Sequence, residues 1–85
     1  MAYVYRHIRL DKNEPFYIGI GSDDKFVRAY NKHRRNQKWF NIVAKTDYKV
    51  DIVFMDISLD EAKEKEIEFI KLYGRSDKGE GTLCN

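Results

Sequence analysis

Apolar and polar residues alternate at the start of the chain. From Ala2 to Leu10, Tyr3, Tyr5 and His7 fall on one side, and Val4, Arg6 and Ile8 on the other. A period of two over this length predicts a β-strand. Asp11-Lys12-Asn13-Glu14-Pro15 has turn composition, so Phe16 to Ile20, bounded by Gly19 and Gly21, reads as the hairpin partner. Ser22 offers an N-cap, with Asp23 and Asp24 in the first turn, and predicts a helix from about Asp23 to Arg35. Phe26, Ala29, Tyr30 and His33 share its apolar stripe. A second helical piece, about Gln37 to Lys45, offers Phe40, Val43 and Ala44 inward, with Trp39 joining or flanking that face. Tyr48 to Ile57 predicts a third strand, with Val50, Ile52 and Phe54 opposite Asp51, Val53 and Met55. Ser58-Leu59-Asp60-Glu61 matches a capping box, and Gly74 ends the helix that follows. The order β-β-α-α-β-α predicts one α+β domain over residues 1–85, with a small three-stranded, mostly antiparallel sheet flanked by helices.

Eighty-five residues bury only about 60–65% of their unfolded surface, which limits the chain to one two-layer core. There is no apolar run long enough for a bilayer and no signal-peptide pattern after Met1. The single cysteine, Cys84, rules out an internal disulfide and a multi-cysteine zinc site. These features lead to the expectation of a cytoplasmic protein with no membrane partner.

Charge is segregated. Lys25 to Lys49 carries eight cations (Lys25, Arg28, Lys32, Arg34, Arg35, Lys38, Lys45 and Lys49) against Asp47, net +7. Asp51 to Glu68 carries seven acids against Lys63 and Lys65, net −5. Tyr30, Trp39 and Phe40 are interleaved with the cations. Cations mixed with stacking surfaces make Lys32, Arg34, Arg35, Lys38 and Trp39 candidate nucleic-acid contacts. A merely solvated basic surface is the competing reading.

One acid breaks its pattern. On a helical wheel, Leu59, Ala62, Phe69, Ile70 and Tyr73 form the inner stripe of the last helix, and Glu66 falls near its centre. A buried carboxylate without a partner costs several kcal/mol. Glu66 therefore calls for an arginine such as Arg28, an outward bend to water, or a metal ion.

Tyr3-Val4-Tyr5 and Tyr17-Ile18-Gly19, paired across a hairpin, resemble the two tripeptides of the GIY-YIG endonuclease superfamily. The second matches outright, and in the first Tyr3 stands where the family has glycine. The family's element order is that predicted here, so the likeness spans essentially the whole chain. It implies a DNA endonuclease that uses Mg2+ or Mn2+ and leaves 5′-phosphate and 3′-hydroxyl ends. It implies that Glu66, followed four positions later by Ile70, holds the metal. It also implies that Tyr5 is the general base, with Tyr17 orienting the water or bonding the phosphate. A free phenol titrates near 10, so neighbouring cations must favour the phenolate by about 3–4 kcal/mol. Arg28 resembles the family's phosphate-binding arginine, and His33 the histidine that follows it. Asn85 resembles the asparagine after the last helix, whose amide fixes the site; the chain reads as cut there from a longer protein. His7 has no family counterpart. A non-catalytic nucleic-acid-binding module with a degenerate site is the alternative.

Overall fold

The computed structural model describes residues 1–85, with every side chain except that of Asp77. The elements are β1 (Ala2–Arg9), β2 (Glu14–Gly21), α1 (Val27–Tyr30), α2 (Gln37–Val43), β3 (Tyr48–Ile57) and α3 (Leu59–Tyr73), followed by a 3-10 turn at Ser76–Lys78. The sheet is antiparallel in the order β2-β1-β3, so the first strand is central and the second an edge. This is the α+β arrangement that the pattern predicts.

Alternation along β1 divides the core between two layers. Val4 meets Ile18 of β2 and Ala62 of α3, with Phe69 and Ile70 packed against them. Tyr3 and Tyr5 meet Ala29 of α1 on the other face. Phe16, Trp39 and Cys84 extend that second face under α2. Trp39 is fully buried, so it is a core anchor and not a contact for nucleic acid. α2 turns Trp39, Ile42 and Val43 inward, while Phe40 and Ala44 are exposed. The ring with the largest apolar area takes the centre of the layer.

Three irregularities reset the alternation. Tyr5 pairs with Ile52 but Val4 with Phe54, which leaves Val53 as an extra residue on β3. Phe54 therefore joins the α3 face while Val50 and Ile52 remain with the tyrosines. Asp56, at φ 58°, lies where a second shift separates Ala2 from Val4. A third shift beside His7 skips Phe16 in the β1–β2 register, and both Phe16 and Tyr17 pack on the face of Trp39. Such bulges turn a side chain to the opposite face, as period-two reading cannot anticipate.

α1 is the largest departure from the predicted pattern: a helix of four residues where Asp23 to Arg35 was expected. Ser22 does not cap it. Phe26 at φ 58° occupies the N-cap, and an Asp23 carboxylate oxygen accepts from the Val27 amide at 2.6 Å. At the other end, Arg35 donates to the carbonyls of Arg28 (2.7 Å) and Asn31 (3.0 Å). Asn31 leaves the helical conformation at ψ 132°, and the guanidinium satisfies carbonyls that no later helical amide reaches. α3 follows its capping prediction, with Ser58 Oγ accepting from the Glu61 amide at 3.1 Å. Leu59, expected inside, is 48% exposed in the first turn.

Two glycines of β2 fix how closely the tyrosines lie on the sheet. Gly19 faces Tyr5 and Gly21 faces Tyr3. A Cβ at either position would overlap the phenol ring and hydroxyl opposite. Gly21 thus makes room for Tyr3. Gly19→Ala is expected to cost about 1–3 kcal/mol through overpacking, read as a lower urea midpoint. A midpoint equal to the parent's would refute the close approach.

Candidate functional site

Tyr5 and Tyr17 lie diagonally across the hairpin with ring centroids 6.3 Å apart. The predicted pairing of the phenols is therefore present. Their environment differs from expectation, because Arg35 is buried at 8% exposure and turned inward. Its Nη1 donates to the Tyr5 hydroxyl at 2.9 Å, and its guanidinium carbon lies 5.0 Å from the Tyr17 centroid and 5.7 Å from Trp39. Arg35 is thus part of the packed site and not a solvent-facing contact for DNA. No carboxylate pairs with it among the described residues. Its charge is met by one phenol oxygen, two carbonyls and three aromatic faces.

Tyr5 is fully buried. Burial pushes its pKa above that of a free phenol, and Arg35 and Arg28 only partly offset the rise. In the isolated chain Tyr5 is therefore held as the neutral phenol, whereas a general base must be poised as phenolate. Tyr17 is half-buried and nearer to water.

His7 anchors the same face. It accepts at Nδ1 from Trp39 Nε1 (2.9 Å), and its Nε2 lies 2.7 Å from the Ala29 carbonyl oxygen. Indole nitrogen only donates and a carbonyl only accepts, so His7 is neutral with its proton on Nε2. Burial lowers its pKa to about 4.

Arg28 and His33 share an open depression of about 530 Å3 with Asn31 and Arg34. His33 is exposed in the loop after α1, not on an apolar helix face. It lies beside Arg28 because the Asn31 side chain accepts from the His33 amide at 2.7 Å and tightens the turn. Lys32, Arg34 and Lys38 are exposed.

Asn85 grips the edge strand at both polar groups of one residue. Its Oδ1 accepts from the Ile18 amide (3.0 Å) and its Nδ2 donates to the Ile18 carbonyl (2.6 Å). The middle residue of Tyr17-Ile18-Gly19 is thereby fixed in place.

Glu66 stands apart from this cluster. It lies on α3, which packs on the Val4 and Ile18 face, whereas the phenols occupy the opposite one. Arg28 does not pair with it. Among the described residues Glu66 has no ion pair or hydrogen bond, and desolvation raises its carboxyl pKa. A half-buried carboxylate without a cation suits a divalent ion. No group of three or more His, Cys, Asp or Glu among the described residues could hold one. An ion here would depend on this one carboxylate, water and a substrate oxygen, a shell that Mg2+ accepts.

The sequence reading gave Arg35 the role of a surface contact for nucleic acid, not of a partner to the phenols, and left His7 out of the site. For His7 the signal existed, since alternation places it on the tyrosine face. Arg35 lies in a loop with no periodicity to mark it. Among the described residues no helix is long and apolar enough to cross a membrane.

Acid should loosen this face. Below pH 6.5 an unfolded histidine gains a proton that folded His7 refuses until about pH 4. Stability is complete above 6.5, and about 3 kcal/mol is lost as pH falls through that window. Denaturant titrations from pH 7 to 4 should show this slope, and His7→Gln should flatten it. An unchanged slope in the variant would assign the effect elsewhere.

No family model, curated protein or solved structure matches the chain in comparisons of all three kinds.

Proposed function

We propose that this domain is a metal-dependent endonuclease that hydrolyses DNA phosphodiester bonds, similar in plan to the GIY-YIG family. The supporting observation is the convergence of Tyr5, Tyr17 and the Arg28 loop around one buried guanidinium, with the Asn85 amide gripping the strand that carries Tyr17. Arg28 borders the depression in which a phosphate would lie, and its fork suits two non-bridging oxygens. Arg35 would stabilise Tyr5 as the phenolate, which would then take the proton of the attacking water and become the neutral phenol. Tyr17 would orient that water from the wetter side of the pair. Glu66 would hold Mg2+ or Mn2+, which neutralises charge on the phosphate and activates water. Because α3 packs against β2 from the opposite face, the reading requires substrate to bridge the β2 edge between Glu66 and the phenols.

A second reading rests on a specific observation. Tyr5 is buried, held neutral and already engaged by Arg35, while Glu66 belongs to the other face. Those features suit a non-catalytic DNA-binding module that keeps the basic loop. It would bind DNA with strong salt dependence, independent of metal and of Glu66.

Nicking of supercoiled plasmid with Mg2+ or Mn2+ separates the two. On the first reading Tyr5→Phe and Glu66→Ala each lower the rate by about 100-fold or more. A parent no more active than Glu66→Ala would leave the binding module. Metal binding has its own readout. Glu66→Gln should raise the metal-free Tm, since it removes a desolvated charge. With a short phosphorothioate DNA bound, millimolar Mg2+ should raise the Tm of the parent further but not that of the variant; equal shifts in both would remove Glu66 as the ligand.

A further inference from the structure

Of the aromatic residues in the basic segment, Tyr30, Trp39 and Phe40 have different fates. Trp39 is buried, and Phe40 packs edge-on against it at 5.2 Å. Tyr30 is 61% exposed, and its side chain makes no hydrogen bond or ring contact among the described residues. It stands on α1 with Val27, itself 58% exposed, so the outer side of this short helix is an apolar ridge.

The ridge is flanked by positive charge. Two open depressions, of about 530 and 590 Å3, meet along it and share Val27, Asn31 and His33. Arg28 and Arg34 line the first; Lys25 and Tyr30 line the second. The one acid lining either depression is Asp23. Its two oxygens already accept from the Tyr3 hydroxyl (2.7 Å) and the Val27 amide (2.6 Å). An uncovered phenol ring between cationic flanks complements a strand whose phosphates run beside its bases. In an intact duplex each base face is covered by its neighbour, so a ring on a protein surface can stack only where bases are unpaired.

We propose that Tyr30 is a stacking platform for an unpaired base, and that the domain therefore takes DNA containing a single-stranded segment in preference to continuous duplex. Lys25, Arg28 and Arg34 hold the phosphates of that strand. The proposal rests on the reading of the domain as one that binds DNA, and it adds the form of DNA it selects.

The test is fluorescence anisotropy at low salt in EDTA, so that no cleavage occurs. A labelled duplex is compared with the same duplex carrying a central single-stranded gap. The parent should bind the gapped DNA about tenfold or more tightly, as expected for one stacked base. Tyr30→Ala should erase the preference and Tyr30→Phe keep it. Tyr30 has no internal partner, so neither variant is expected to disturb the fold. Equal parent affinity for both DNAs overturns this proposal alone, as does a preference that survives Tyr30→Ala. Binding to neither overturns it together with the DNA-binding reading.

Discussion

One side of β1 carries three residues, Tyr3, Tyr5 and His7, whose polar tips hold the α1–α2 layer in place. Tyr3 reaches Asp23 before α1, Tyr5 meets Arg35 after it, and His7 joins the Ala29 carbonyl to the Trp39 indole. Beside these bonds the layer rests on the packing of Ala29 and Trp39. α1 and α2 are four and seven residues long, too short to persist on their own propensity. Each of these bonds contributes only about 1 kcal/mol net, but an unmatched buried partner costs about 1–3 kcal/mol. The central strand therefore dictates not just an apolar surface but which donor or acceptor must face it.

This division explains what the sequence reveals. β1, β3 and α3 are legible because their order is local: alternation in the strands, a cap and a terminal glycine for the helix. The hairpin is legible too, through its turn and its two glycines. α1 is not, since the end of the helix is satisfied by Arg35, seven positions beyond the Arg28 carbonyl it meets. Nor are the faces of Phe54 and Phe16, because bulges in the pairing move them. Periodicity reads a segment as if it were alone, and these features are decided by what lies opposite.

The candidate site divides in the same way. The proximity of Tyr5 and Tyr17 follows from hairpin register, and the interior position of Glu66 from the helical wheel. Their electrostatics follow from neither. A buried guanidinium with no carboxylate partner among the described residues leaves the tyrosine face positively charged. On the α3 face, Glu66 is half-buried with no cation to meet it. The two demands are complementary, and the sheet keeps them apart. A phosphodiester and a divalent ion together would supply the anion to one side and the cation to the other, so substrate and metal should each favour the arrival of the other.

The closing segment of the chain also governs how the domain behaves in company. Thr82 Oγ1 donates to the Pro15 carbonyl, the Cys84 amide to Phe16, and the Asn85 side chain engages Ile18 at both groups. Together they cover residues 15–18 along the outer rim of β2, one of the sheet's two edges, where a foreign strand could otherwise add. A side-chain amide copies the pairing of a further strand without offering a new edge in turn. Residues 82–85 thus stand where a strand from another molecule would have to pair along this stretch.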